Sequence, residues 1–305
     1  MSGRQALRTA VALVALYVTS GSFVSAQPNE RELWVSVVDQ AGAPVEGLTP
    51  TDIIVREDNR TREILRVVPA EEPMQIALLV DTSAQARDEI GHMRQALPGF
   101  IDALVRPNEA GRRNQIALVA FGERPTILTE YTSDAAALKK GIDRIWSMSG
   151  SGAYFLDAIL EVVQGFKKRE APRPVIVGIV VEGQELSYRM YDQVLGPLKD
   201  SGAPLYALML GRPRDGGSQE ARSRSIVLDR GTADTGGRRD QLLTSMALAT
   251  KLTQLADQLT HQYRVTYARP QSLIPPEHVT VTAANPALIA RGTPVKNLTS
   301  EQRRP

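Results

Sequence analysis

The sequence predicts an α/β protein with three layers: a mostly parallel central sheet with helices on both faces. Three apolar runs, at residues 76–80, 114–121 and 174–181, are typical of strands that are buried on both faces. Segments of helical periodicity separate these runs, and strands that alternate with helices form right-handed β-α-β crossovers. We expect this unit to extend over residues 73–263.

The segments between the predicted strands carry apolar residues at three-to-four spacing, which is the period of an amphipathic helix. The first of them, 86–105, contains Pro98 and Gly99, which are expected to kink or split its helix. Further helices are predicted at 138–146, 155–166, 191–198 and 242–263, and a further strand at 205–210. The Arg-, Gly-, Ser- and Asp-rich segment 211–237 is predicted to be a loop with a short helical piece at 226–228.

Function is predicted at the carboxyl ends of the parallel strands and in the loops that follow them, a region that we call the top face. Ligands of open α/β sheets bind outside this edge. The run 76–80 ends abruptly in Asp81-Thr82-Ser83. We therefore expect Asp81 and Ser83 to point into a cleft at the top face.

These features resemble the von Willebrand factor type A domain in order, spacing and strand context. In that family the first strand ends in Asp-x-Ser-x-Ser, a later loop supplies a Thr before an amphipathic helix, and a third strand ends in Asp-Gly. The resemblance covers residues 73–263 and implies a Rossmann-like fold. It also implies that these oxygens form a metal-ion-dependent adhesion site.

The resemblance assigns Asp81, Ser83 and Glu182 as candidate metal ligands. Hard divalent cations such as Mg²⁺ require several oxygen ligands in a near-octahedral array. Glu182 stands where the family has Asp, so its carboxylate lies one methylene further out. The alternative interpretation is structural: Asp81 and Ser83 would cap a helix that starts near Ala84.

Two further positions depart from the family pattern. Gln85 replaces the second Ser, and Ala153, which has no ligand atom, replaces the Thr. Ser149 and Ser151 lie in the same loop as Ala153 and could substitute for the Thr. Two alternatives follow, a site that binds Mg²⁺ or Mn²⁺ weakly and a site that binds no metal.

The segments on either side of this unit are β-rich. Residues 27–72 contain two β-rich runs separated by Gly and Pro turns, and residues 264–295 contain two runs that alternate polar and apolar residues. Both resemble the flanks of this domain in a secreted bacterial group of the acidobacterial type. The resemblance implies that they form one small β-sandwich into which the α/β unit is inserted, followed by a flexible tail at 296–305.

The first 26 residues have the features of a secretory signal. Arg4 and Arg8 precede a short apolar run, and Val24-Ser25-Ala26 has small residues at the spacing of a cleavage site. The apolar run is too short to span a bilayer, and the chain contains no Cys. We therefore predict a secreted or periplasmic protein without a membrane span, cleaved after Ala26.

Composition argues against several other function classes. With 36 basic and 34 acidic residues, two of the Arg lying within 1–26, the remainder carries no net charge and no basic stripe for nucleic acid. The three His residues, His92, His261 and His278, lack the motif context of a hydrolase. The Ser-Gly-Ser-Gly segment at 149–152 lacks the Lys of a phosphate-binding loop.

The sequence thus predicts an exported, non-enzymatic module that binds a protein or peptide at the top face. The predicted partner-binding residues are Asp81, Gln85, Ala153 and Glu182. The alternatives are an adhesion protein that requires Mg²⁺ or Mn²⁺ at the same site, and a structural subunit of an envelope assembly that uses the edge of the β-sandwich. A hydrolase that depends on Ser83 is the remaining alternative.

Overall fold

The computed structural model describes residues 29–213, 217–270, 274 and 276–296. The predicted signal segment, 1–26, and the tail from residue 297 lie outside the described residues. The described part holds three sheets, with strand orders β13-β1-β11-β4, β10-β9-β8-β5-β6-β7 and β12-β2-β3. The strands are β1 (Asn29–Val38), β2 (Ile53–Glu57), β3 (Arg60–Arg62), β4 (Ile64–Pro69), β5 (Gln75–Val80), β6 (Gln115–Ala120), β7 (Thr126–Thr132), β8 (Pro174–Val181), β9 (Leu205–Leu210), β10 (Arg238–Leu242), β11 (Tyr263–Arg269), β12 (Val279–Ala283) and β13 (Ile289–Pro294).

The helices cover both faces of the six-stranded sheet. They are α1 (Ile90–Leu104), α2 (Ala135–Ile142), α3 (Phe155–Lys168), α4 (Tyr191–Ser201), α5 (Gln219–Ile226), α6 (Thr232–Asp234) and α7 (Leu248–Thr260). A 3-10 segment, Ala84–Glu89, precedes α1, and a π-helical segment, Val227–Gly231, links α5 to α6. No helix within the described ranges is long and apolar enough to cross a membrane.

The central strand β5 shows why its sequence is continuously apolar. Ile76, Leu78 and Val80 lie in the core cluster that contains α1, α2 and α7, whereas Ala77 and Leu79 lie in the cluster that contains α3 and α4. Burial of each large side chain contributes roughly 1.5–3 kcal/mol. All strands of this sheet run parallel except β7, which pairs antiparallel with β6. The predicted fold class is therefore confirmed.

The two flanking segments form the additional antiparallel sheets. β1, near the start of the described chain, pairs with β11 and β13, which follow the α/β unit, and β2 pairs with β12. Apolar side chains from both sheets share one core cluster, which includes Leu33, Val35, Val55 and Val265. The flanks therefore pack on each other.

Arg173 joins the α/β unit to these sheets at the amino end of β8. Its buried guanidinium donates hydrogen bonds to the carbonyl of Glu72 (2.6 Å) and to Oε1 of Gln262 (2.7 Å). The guanidinium also lies 4.7 Å from the ring centroid of Trp34 in β1. Burial lowers the pKa of Arg173 to about 10, so the group remains charged at neutral pH. This one side chain fixes both connections between the two parts.

The structure corrects several element predictions. The segment predicted as a loop, 211–237, contains α5, the π-helical segment and α6. The helix predicted at 86–105 is not split at Pro98, which lies inside α1. The helix predicted at 242–263 is shorter because it begins at Leu248, and β7, β10 and β13 were not predicted at all. α2 begins at residue 135 because the Asp134 carboxylate accepts hydrogen bonds from the amides of Ala136 and Ala137.

Candidate functional site at the top face

Asp81 and Ser83 lie at the end of β5, beneath the surface of the top face. Both are fully buried. Oδ1 of Asp81 accepts hydrogen bonds from the amide (2.9 Å) and the hydroxyl (2.5 Å) of Ser83, and Oδ2 accepts one from the amide of Val181 (3.0 Å). Asp81 therefore ties the end of β5 to the end of β8.

The capping interpretation of these two residues is wrong in its detail. Ser83 is the N-cap of the Ala84–Glu89 segment, but its side chain makes no capping hydrogen bond and donates to Asp81 instead. Burial raises the pKa of Asp81, and hydrogen bonds from Ser83 and Val181 partly oppose that effect. The carboxylate thus bonds both to the loop that follows β5 and to the end of β8.

Gln85 clamps the loop that follows β8. Its Nε2 donates to the carbonyl of Gln184 (3.0 Å), and its Oε1 accepts from the amide of the same residue (3.0 Å). The side chain thereby pairs with a backbone as a neighbouring strand would. Both polar ends of the amide are used in this pair, so its oxygen is not directed toward Asp81.

Ala153 is also fully buried and extends the same pairing. Its amide donates to the carbonyl of Gln184 (3.0 Å), and its carbonyl accepts from the amide of Leu186 (2.7 Å). The serines that could replace it are engaged elsewhere. Ser149 Oγ accepts from Arg87 (2.9 Å), and Ser151 Oγ donates to the carbonyl of Met148 (2.7 Å).

Glu182 faces basic side chains. Its Oε2 lies 3.3 Å from Nη2 of Arg224, and its Oε1 lies 3.9 Å from Nη2 of Arg239. The Arg224 side chain is 5% exposed. Sequence reasoning missed Arg224 because the composition of its segment suggested a loop.

Glu185 is a second buried carboxylate that the sequence did not reveal. Its Oε1 accepts hydrogen bonds from the amide of Phe155 (3.1 Å) and the hydroxyl of Ser187 (2.5 Å). Its Oε2 lies 4.0 Å from Nη1 of Arg224. The carboxylate therefore sits at the N-terminus of α3, where the helix dipole favours a negative charge.

Burial raises the pKa of Glu185 to about 7, although the Ser187 hydroxyl and the charge of Arg224 act in the opposite direction. The folded chain therefore binds more protons than the unfolded chain between about pH 4.5 and about pH 7. The stability that this group contributes is fully present below that window and is lost as the pH rises through about 7.

We expect Glu185→Gln to remove this pH dependence, because the amide keeps an acceptor for α3 and does not titrate. The stability of the unaltered protein, relative to that of Glu185→Gln, should fall as the pH rises from about 4.5 to about 8. Urea unfolding at several pH values measures the difference, with Glu109→Gln on the surface as the control for one lost charge. A constant difference across this range would contradict the assignment.

The residues as arranged do not fit the metal site that the resemblance implies. Mg²⁺ needs several free oxygens in near-octahedral geometry. Ala153 supplies none, both oxygens of Asp81 accept hydrogen bonds, and Glu182 is paired with a buried guanidinium. Within the described ranges, no group of three or more His, Cys, Asp or Glu residues could hold a metal ion.

Large apolar side chains are exposed in the loops of the top face. The set comprises Trp146, Met148, Tyr188, Leu243 and Met246, which are between 43% and 83% exposed. They belong to three loops, which lie at 143–154, 182–190 and 243–247. These loops follow α2, β8 and β10.

Each of these loops is bonded to the Ala84–Glu89 segment. Arg87 donates to Ser149, Gln85 pairs with Gln184, and the Ser245 hydroxyl donates to the Glu89 carboxylate. The three loops that carry exposed apolar side chains therefore all lie against one segment at the top face. We name these exposed side chains together the apolar ring.

Arg94 of α1 holds the Trp146 loop in place. Its Nη2 donates to the carbonyls of Asp143 (3.1 Å) and Ile145 (2.5 Å), and its guanidinium carbon lies 5.0 Å from the Trp146 ring centroid. A cation near an aromatic face is attracted to it. The indole is thus fixed in position although most of its surface is exposed.

Residues 76–182 match the family model of the von Willebrand factor type A domain. The match runs from the start of the first parallel strand to just past β8, which is about a third of the chain. Curated proteins give no match to this sequence. The family match therefore concerns the α/β unit and not the flanking sheets.

Three solved structures are similar in fold. Proximal thread matrix protein 1 from the mussel byssus is 16% identical with a TM-score of 0.50, over 67% of this chain and 51% of that one. A von Willebrand factor type A protein from Catenulispora acidiphila is 13% identical with a TM-score of 0.47, over 88% and 72%. The von Willebrand factor domain of the type V pili tip protein Mfa5 from Porphyromonas gingivalis is 12% identical with a TM-score of 0.47, over 62% and 96%.

At these identities the likeness to solved structures concerns the fold alone. The matched residues 76–182 include nearly all of β5, together with β6, β7 and β8 of the six-stranded sheet. The α/β unit is therefore similar to a von Willebrand factor type A domain in the sequence of these residues and in its fold.

Proposed function

We propose that this chain is an exported, non-enzymatic module that binds a protein or peptide through the apolar ring of its top face. The domain type and the exposed side chains at the predicted edge support the proposal. Export rests on the sequence of residues 1–26, and this places the protein in the periplasm or outside the cell. The proposed secreted bacterial group rests on the sequence of the flanks.

The apolar ring is the observation that carries the proposal. Single exposed apolar residues are ordinary on protein surfaces, but a contiguous set marks an interaction site. Aromatic residues and Met are enriched at protein interfaces. The ring contains Trp146, Tyr188, Met148 and Met246, and hydrogen bonds at its centre position the three loops before any partner arrives.

In this proposal the predicted partner-binding residues lie beneath the apolar ring and hold its loops in position. Asp81 and Ala153 have no exposed surface, and Gln85 and Glu182 are only partly exposed. They fix the loops through the hydrogen bonds described above. Direct contact with the partner falls to the exposed side chains.

A hydrolase that depends on Ser83 has little physical support. The hydroxyl is fully buried and donates to Asp81. Among the described residues, none of the three His is hydrogen-bonded to Ser83, so no general base is in place to activate it. This geometry favours a binding role.

Photocrosslinking in the producing cells tests the proposal. We expect a photoreactive phenylalanine analogue at Tyr188 or Met246 to give discrete protein adducts, because both side chains project from the apolar ring. The same analogue at Glu109, at the opposite end of the sheet, should give none. Adduct mass by gel and mass spectrometry is the readout.

A competition step tests whether an adduct is specific. Excess unmodified protein should suppress the adduct. A Trp146→Ser, Leu243→Ser double variant should need about thirtyfold more protein, since two interface anchors contribute over 1 kcal/mol each. Equal competition by both proteins, or equal adducts from Glu109, would refute binding through the ring.

The second candidate function is a structural subunit that assembles through the β-sandwich edge. β4 is an edge strand that pairs with β11 on one side, and it exposes Leu65. Unpaired edges are templates for another strand. The same crosslinking analogue at Leu65 decides between the candidates, because adducts there with none at Tyr188 would favour assembly.

A further inference from the structure

The guanidinium of Arg224 is the buried positive charge of the top face. It contacts Glu182 at 3.3 Å and Glu185 at 4.0 Å, and its charge also lowers the pKa of Asp81 slightly. Burial of an unpaired carboxylate is costly, so buried acids require a positive partner. Three acids of the top face therefore lie near this one buried charge, and Glu182 also faces the more exposed Arg239.

The fold brings Arg224 to this position through the helix that carries it. Ser218 caps α5 by accepting from the amide of Ala221 (3.3 Å). Val227 and Leu228, just after α5, are buried in the core cluster with α3 and α4. Their packing anchors the C-terminal end of α5, the helix from which Arg224 reaches Glu182 and Glu185.

The environment of the guanidinium is built for charge and not for many hydrogen bonds. Nε and Nη1 of Arg224 and Oε2 of Glu185 make no hydrogen bond to other described residues. Arg keeps its charge when buried because of its high intrinsic pKa. Arg224 thus interacts with Glu182 and Glu185 mainly by electrostatic attraction.

We propose that Arg224 is a built-in cation that takes the place of a divalent metal at the top face. It neutralises Glu182 and Glu185 in the folded chain, so that the shape of the top face does not depend on Mg²⁺, Mn²⁺ or Ca²⁺. The inference concerns the site itself and is independent of whether a partner is captured by the apolar ring. Of the two alternatives that the sequence left open, it favours a site that binds no metal.

Thermal unfolding of the purified protein tests this inference. We expect the same Tm, within about 1 °C, in EDTA and in millimolar Mg²⁺, Mn²⁺ or Ca²⁺. Arg224→Met should lower the Tm by at least about 5 °C, since it leaves buried carboxylates unpaired. Arg224→Lys should lower the Tm by less than Arg224→Met, because Lys keeps the positive charge.

Arg239→Met is the matched control. Arg239 also faces Glu182, at 3.9 Å, but it is more exposed and has a second partner in Asp229. Its replacement should lower the Tm by less than half as much as Arg224→Met. Equal losses in the two variants would overturn the proposal, as would a saturable rise in Tm with any of the three cations in the unaltered protein.

A compensated variant separates charge from packing. Arg224→Met combined with Glu182→Gln and Glu185→Gln should recover at least half of the Tm loss, because no buried charge is then unpaired. Absence of recovery would mean that the side chain acts through packing, and the proposal would fail. If Arg224→Met alone does not fold, the comparison of Arg224→Lys with the compensated variant gives the same decision.

Discussion

Replacement of Asp81 by Ala is expected to lower the free energy of unfolding by about 2–6 kcal/mol. The substitution leaves the amides of Ser83 and Val181 without their acceptor, and both groups lie at a fully buried site. An unsatisfied buried donor costs about 1–3 kcal/mol. The effect should be present in EDTA as well as in Mg²⁺, because it arises from hydrogen bonds within the chain.

Denaturant unfolding followed by circular dichroism measures this loss. Asp134→Ala is a suitable control, since Asp134 also accepts two amide hydrogen bonds but is exposed at the start of α2. A lost exposed cap costs about 0.5–2 kcal/mol. If Asp81→Ala destabilises no more than Asp134→Ala, the carboxylate is not the tie between β5 and β8 that the geometry indicates.

Phe155→Ala is expected to cost about 3–5 kcal/mol, the usual range for truncating a fully buried Phe. Phe155 is the first residue of α3, and its ring centroid lies 5.3 Å from that of Phe121. A Cβ at Gly178 of β8 would come within 2.9 Å of its ring, so the ring lies directly on the sheet. The truncation opens a cavity under the top face.

The Phe155→Leu variant tests how much of this loss comes from the lost side-chain volume. It keeps more of the apolar volume than Ala does, so it should cost less than Phe155→Ala. Urea unfolding of both variants gives the comparison. A loss below about 1.5 kcal/mol for Phe155→Ala would show that the surrounding side chains collapse into the space, and that the N-terminus of α3 is less constrained than its contacts suggest.

The central sheet could be predicted because its strands are buried on both faces. That burial produces unbroken apolar runs, and their short length and the polar or Gly-containing turns beside them favour strands over buried helices. The edge strands β7 and β10 were missed because one side of each is less protected. β10 reads RRDQL and is only partly buried over most of its length, so its sequence carries no strand signal.

The Arg224 segment was missed for a different reason. Periodicity detects a helix when its inward positions are apolar, but α5 turns a charged residue inward to meet two carboxylates. The same difficulty hid Glu185, which lies in a polar loop and looks like a solvated acid in the sequence. Neither residue of a buried ion pair can be recognised as buried from its own sequence neighbours.

The predicted site residues lie at the carboxyl ends of the parallel strands, but the sequence did not predict their hydrogen-bond partners. Family resemblance directs attention to Asp81, Gln85 and Ala153, and the structure brings these residues together around Gln184 and Val181. The hydrogen bonds of Gln85 could not be foreseen, because its partner is a backbone group that is distant in sequence. Metal binding by Asp81, Ser83 and Glu182 stays a prediction for the experiments above.

The two chain links that Arg173 bonds determine how the α/β unit can move relative to the flanking sheets. The chain enters the α/β unit through residues 70–74 and leaves it through residues 261–262, and both short links end on the adjacent strands β4 and β11. A unit attached by one linker can swivel, whereas attachment at two neighbouring points resists rotation. A force applied at the top face would therefore be transmitted to the flanking sheets. If a partner binds there, little free energy is lost in reorienting the α/β unit.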